Sequence, residues 1–117
     1  MKPTKSERLL APINAVMRGK NRRDDIPYGE HPAMRYDEFP SDDPETPIVM
    51  FWHGGGWTSG NKAMYRFMGH FLQKQGFHAL VVGHPLYSEQ TFPGFIRDAE
   101  LAIDHIRKKY PGRRIYA

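Results

Sequence analysis

Pro47-Ile48-Val49-Met50-Phe51-Trp52-His53-Gly54-Gly55-Gly56-Trp57-Thr58-Ser59-Gly60 lies near the middle of the 117-residue chain and carries its sharpest change of character. Ile48 to Trp52 are apolar without a break, so they lack the alternation of a strand with one wet face. They predict a central, parallel-type strand covered on both sides. His53 and three successive glycines end it. Glycines add no packing and cost chain entropy, so a run of them beyond the carboxyl end of a buried strand signals close backbone approach or positive φ. Their amides are then free for a ligand oxygen, in the region where open α/β sheets bind ligands.

Toward the C-terminus, Asn61 to Gln75 sets Met64, Phe67, Met68, Phe71 and Leu72 on one helical face, with Gly76 as the stop. Phe77 to Val82 predicts a second buried strand. Pro93 to Tyr110 predicts a second amphipathic helix with the face Phe92, Phe95, Ile96, Ala99, Ile103, Ile106 and Tyr110. Pro93 suits its first turn. Ile115, Tyr116 and Ala117 open a further strand. Strand, helix, strand, helix, strand implies βαβ crossovers. The expected fold class is therefore α/β, a three-layer αβα sandwich with a mostly parallel sheet.

Toward the N-terminus, residues 21–47 are polar, with prolines at 27, 32, 40, 44 and 47, and predict short strands between turns. Ala33 to Phe39 alternates and reads as an edge strand; Ser41 to Thr46 reads as an acidic turn. Ser6 to Gly19 predicts a helix that Pro12 interrupts. The expected division is a basic N-terminal segment with this helix, residues 1–25, and one domain, residues 26–117.

With 39% hydrophobic content and a net charge of +4, the chain fits one ordinary globular domain. The absence of Cys excludes a disulfide framework, a thiolate metal site and a Cys nucleophile, and suits a reducing, cytoplasmic setting. No apolar run approaches the ~20 residues of a membrane span. Charge is uneven: Met1–Arg23 carries +6, Asp24–Gly60 carries −7 and Asn61–Ala117 carries +5. Lys108, Lys109, Arg113 and Arg114 cluster where cations meet a helix C-terminal dipole, so no nucleic-acid partner is expected. The six histidines show no H-E-x-x-H or paired spacing, and neither metal nor cofactor is implied.

From about Ile26 to Ala117 the chain resembles the N-terminal half of an α/β-hydrolase of the esterase/lipase type, in the group related to hormone-sensitive lipase and kynurenine formamidase. The resemblance rests on Tyr28-Gly29, Tyr36-Asp37, the strand Ile48–Trp52, the H-G-G-G-W motif His53–Trp57, and Ser59-Gly60-Asn61-Lys62 leading into Tyr65-Arg66-Phe67. Leu86-Tyr87, Phe92-Pro93 and Phe95-Ile96-Arg97-Asp98 extend it. It implies that Gly55 and Gly56 donate backbone N–H groups to an oxyanion, that Gly54 lets the loop turn, that His53 braces it and that Trp57 walls an acyl pocket. The implied substrate is a small-molecule ester or amide, and no cofactor is needed.

Two departures qualify the resemblance. The nucleophile motif G-x-S-x-G is absent: the serines are Ser6, Ser41, Ser59 and Ser88, and Ser59 takes the fourth place of Gly56-Trp57-Thr58-Ser59-Gly60. Ile115-Tyr116-Ala117 matches the strand that leads into the nucleophile elbow. The fold is thus expected to stop before the elbow, leaving the chain inactive alone and a C-terminal half as its complementing partner. Where relatives read approximately D-Y-R-L-x-P-E, this chain has Gly83-His84-Pro85-Leu86-Tyr87-Ser88-Glu89, which puts the anchoring of that loop in doubt. Three other readings are weaker. Ser59–Lys62 fits S-x-x-K without the companion motifs of β-lactamases, and Gly55–Gly60 has Walker A spacing but Asn61 where Lys is required. A non-catalytic hydrolase-like fragment acting as an interaction module is the remaining alternative.

Overall fold

Among residues 21–53, 61–86, 89–91 and 93–117, which the computed structural model describes, five strands form one sheet. The helix expected over Ser6 to Gly19 lies outside these residues. The strands are β1 (Arg23–Pro27), β2 (Arg35–Phe39), β3 (Ile48–Trp52), β4 (His78–Val82) and β5 (Ile115–Tyr116), in the spatial order β1-β2-β4-β3-β5. β3 pairs parallel with β4 and with β5, whereas β2 runs antiparallel to β1 and to β4. The sheet is therefore mixed, not mostly parallel. The chain between β1 and β2 is too short for a crossover, and short connections give antiparallel pairs.

β2 is not an edge strand either. It lies between β1 and β4, and β1 takes the edge. β1 is mostly exposed, ends in Pro27 and carries an irregularity between Arg23 and Ile26, where Asp25 has a φ of 59°. A bulge and a proline on an outer strand discourage further pairing. Among the described residues the sheet begins at Arg23.

β3 and β4 form as their apolar runs predict, in the register Ile48↔His78 through Trp52↔Val82. Among the described residues two helices cover the sheet: α1 (Arg66–Lys74), led in by a 3-10 turn over Lys62–Tyr65, and α2 (Gly94–Lys109). Successive strand residues point to opposite faces. Tyr36, Ile48, Met50, Leu80 and Val82 accordingly cluster with Ala102 and Ile106 of α2. Phe39, Ala79 and Val81 form a second cluster with Phe51, Tyr65 and Leu72 on the α1 side. One helix on each face produces three layers.

The helix faces differ from the periodic reading. In α1 the buried residues are Gly69, His70 and Gln73, while Phe71 is 44% exposed. The cause is the 3-10 lead-in: at three residues per turn instead of 3.6, four residues rotate the later face by about 80° against a wheel started at Met64. Asn61 caps this turn, its Oδ1 accepting the Met64 N–H at 3.2 Å. In α2 the buried residues are Asp98, Ala102 and Ile106, and Ile96 is half exposed; Asp98 tolerates burial by accepting from Gln90 Nε2 at 2.9 Å. Phe92 lies outside the described residues.

Gly69 lets α1 approach the sheet. A Cβ there would meet the Phe39 ring at 2.3 Å, far inside van der Waals contact, and Phe39 is itself fully buried. Gly69→Ala should therefore lower stability by about 1–3 kcal/mol despite alanine's better helix propensity. Thermal melts compared with the exposed-site control Gln75→Ala would check the sign.

Two carboxylates on β2 are fully buried, and they face opposite layers. Asp37, on the α1 side, accepts from Lys62 Nζ at 2.8 Å, Arg66 Nε at 3.0 Å and the Asp25 backbone N–H at 3.1 Å. Glu38, on the α2 side, accepts from His78 Nε2 at 2.7 Å and from the Tyr110 hydroxyl, with Lys109 Nζ at 3.4 Å. Burial alone would raise the Glu38 carboxyl. The hydrogen bonds from His78 and Tyr110 and the Lys109 charge outweigh it and hold the group down to about 2. Buried charges persist when they are paired in this way.

Candidate functional site

The parallel register that aligns Trp52 with Val82 brings the residues just past β3 and β4 together. His53 follows β3, and Gly83 and His84 follow β4. His53 and His84 are both buried, and their rings stack nearly parallel, 11° apart with centroids 4.0 Å apart. Tyr65 lies near His53 at 6.4 Å and 21°. His84 Nδ1 donates to the Pro85 carbonyl at 3.1 Å, which in the neutral ring leaves Nε2 as the acceptor nitrogen.

Gly83 is a backbone junction. Its N–H donates to the Arg35 carbonyl at 2.8 Å, and its carbonyl accepts the Tyr28 hydroxyl at 2.6 Å. Burial pushes the Tyr28 phenol up, with Asp98 adding to the effect, so it stays a donor. A Cβ at Gly83 would sit 2.9 Å from the carbonyl oxygens of Ala33 and Arg35. Gly83, at the start of the segment that lacks the Asp and Arg of the resembling esterases, is thus bonded through its own main chain to Arg35 and to the Tyr28 phenol.

A cleft of about 760 Å³ opens at these strand ends, lined by His53, His84, Asn61, Lys62, Arg35 and Glu89 among others. Its cations are tied down. The Lys62 ammonium bonds Asp37 and also Asp25, whose carboxyl it holds below the usual carboxylate range. Arg35 Nη1 donates to the carbonyls of Gly29, His31 and Met34, and His31 Nε2 meets Glu89 Oε2 at 2.7 Å. Among the described residues, no three His, Cys, Asp or Glu side chains converge on a position for a metal ion. Among them, too, no helix is long and apolar enough to cross a membrane.

Of the residues singled out from the sequence, His53 lies at this cleft. Gly54, Gly55, Gly56, Trp57 and Ser59 lie outside the described residues. His84 was not foreseen as a partner of His53. The signal that finds it is register: two buried runs aligned in parallel deliver their following residues side by side.

A family model described as BD-FAE matches residues 38–112, well over half of the chain. The chain belongs to this family of α/β-hydrolase carboxylesterases. The BD-FAE match takes in β3, β4, both helices and the whole H-G-G-G-W motif. The carboxylic ester hydrolase LipN of Mycobacterium tuberculosis is 32% identical over 78 residues, which are 66% of this chain and 20% of LipN. Esterase B from Lactobacillus rhamnosis superposes with a TM-score of 0.78 at 19% identity over 95% of this chain and 38% of that one. The hyperthermophilic esterase of the archaeon Pyrobaculum calidifontis gives 0.77 at 23% identity, over 92% and 36%. At these identities the superpositions establish the α/β-hydrolase fold. The chain spans between a fifth and two fifths of these proteins.

Proposed function

We propose that this chain forms the oxyanion-binding part of a serine-dependent hydrolase of carboxylic esters or amides. The observation that carries the reading is the position of His53: it leads directly into Gly54-Gly55-Gly56-Trp57 and is buried against the cleft at the carboxyl ends of two parallel strands. In the complete enzyme a serine activated by a histidine attacks the carbonyl carbon, and charge develops on the carbonyl oxygen. Backbone N–H groups of Gly55 and Gly56 receive that oxyanion, a contribution worth about 3 kcal/mol per donor in transition-state stabilisation. Trp57 walls the acyl group, and Gly54 and His53 support the loop.

No G-x-S-x-G motif occurs in the sequence, so the 117-residue chain is expected to be silent toward esters. With p-nitrophenyl butyrate it should give no turnover above the buffer blank. Mixed with a polypeptide carrying the nucleophile-bearing remainder of a BD-FAE-type fold, it should form a complex that hydrolyses the ester. Turnover by the isolated chain that disappears in Ser59→Ala would overturn this assignment.

A second reading has one observation in its favour. Among the described residues β5 pairs on one side only, and Tyr116 on it is 54% exposed. A partner strand seated there without any gain of activity would mark a non-catalytic interaction module.

A further inference from the structure

We propose that the cleft at the strand ends binds a small-molecule carboxylate, held by the guanidinium of Arg35. Arg35 opens β2, is part-buried and lines the cleft. Its Nη1 corner is fixed, donating to the carbonyls of Gly29 and His31 at 3.2 Å and of Met34 at 3.0 Å. The other edge, formed by the Nε–H and Nη2–H donors, meets no acceptor among the described residues, and none of their carboxylates stands within ion-pair distance of it. That edge is the side-on fork that matches the two oxygens of a carboxylate. Its donors are also open: the polar side-chain atoms sealed from solvent without a partner are, among the described residues, His70 Nδ1 and Gln73 Oε1.

The surroundings explain why the fork is left over. One step past the Tyr36↔Val82 pair, the residue across the sheet is Gly83, which bonds the Arg35 carbonyl and brings no side chain. The acids nearby are already engaged: Lys62 bonds Asp25 and Asp37, and His31 Nε2 meets Glu89 Oε2 at 2.7 Å. A part-buried cation without a counter-charge has lost hydration and gained no ion pair, so an incoming anion recovers the difference. Two features select a monocarboxylate over a phosphate. One fork offers two parallel donors, and the standing charges of Asp25 and Glu89 on the same wall repel a dianion. Pro32, Ala33 and Leu86 add apolar wall for the body behind the carboxylate, and a volume of about 760 Å³ suits a small molecule. The site is independent of the hydrolase reading, since binding by the 117-residue chain requires no catalysis.

The test titrates the isotope-labelled chain with benzoate, with its uncharged isostere benzamide and with inorganic phosphate, all at one ionic strength. In NMR spectra benzoate should shift the Arg35 Nε–H signal and the Ala33 and Gly83 amides saturably. Benzamide and phosphate should bind about tenfold more weakly or not at all. Arg35→Lys keeps the charge without the fork and should weaken benzoate about tenfold, whereas Arg35→Gln removes both and should abolish the shifts at Ala33 and Gly83. Unmoved Leu80 and Val81 amides report that the sheet is intact in each variant. Where both variants disturb the turn that Nη1 holds, the wild-type contrast between benzoate and benzamide at the Arg35 Nε–H decides alone. No saturable shift with benzoate, equal shifts with benzamide, or benzoate affinity unchanged in a folded Arg35→Lys would overturn the proposal. Phosphate binding more tightly than benzoate would make this a general anion site and overturn the carboxylate assignment equally.

Discussion

Glu38→Ala should lower the stability of the chain by about 3–5 kcal/mol. The carboxylate is fully buried, and removing it leaves the His78 ring nitrogen and the Tyr110 hydroxyl without their acceptor and Lys109 without its counter-charge. Lys109 also donates to the Tyr36 hydroxyl at 3.2 Å, which in turn meets His105 Nε2 at 3.1 Å, so the disturbance reaches further along α2. The same group dictates an acid dependence. Its folded carboxyl is held down to about 2, below an ordinary value of 4.5. A depressed folded value means that the carboxylate form is favoured by folding. The contribution is complete above about pH 4.5 and is lost as pH falls from there toward 2, amounting to about 3 kcal/mol. Urea melts at pH 7, 4 and 2.5 should show that decline in the wild type and a flatter profile in Glu38→Gln. An equal decline in both would assign the acid sensitivity to other groups.

Asp37→Ala is expected to cost about as much, 3–5 kcal/mol, through the other face of the same strand. Its carboxylate receives Lys62, Arg66 and the Asp25 N–H, and the Lys62 side chain is only 13% exposed. Without Asp37 two cations lose their buried partner and the irregular β1 loses the contact that holds Asp25. Asp37→Asn keeps an acceptor oxygen but removes the charge, so it should fall between wild type and alanine in thermal melts. Because Lys62 lines the cleft, this variant should also loosen the wall beside His53, seen as faster hydrogen exchange at Ala63 and Met64. Exchange rates there equal to wild type would limit the role of Asp37 to global stability.

Legibility followed the range of the forces involved. The continuous apolar runs Ile48–Trp52 and Phe77–Val82 identified the two inner strands because burial on both faces leaves a local imprint. Helix positions were equally local, bounded by Asn61, Gly76, Pro93 and Pro111. Their faces were not, since a 3-10 lead-in shifts the phase of α1. The burial of Asp37 and Glu38 left no local imprint, as their partners lie 12 to 72 residues away in the chain. The strand-end position of His53 was readable directly, whereas the roles given to Gly55, Gly56 and Trp57 came from resemblance to esterases. The stack with His84 required the register of the sheet and could not be read from either segment alone.

The interleaved strand order has a consequence for synthesis on the ribosome. β4 lies between β2 and β3 yet is translated after both, so a nascent chain emerges with two strand edges facing an empty slot. Until His78 to Val82 clears the exit tunnel, those edges and the apolar face of β3 are open to mispairing with other nascent chains. Delay at that stage, more than any weakness of the finished sheet, is where chaperone dependence would enter.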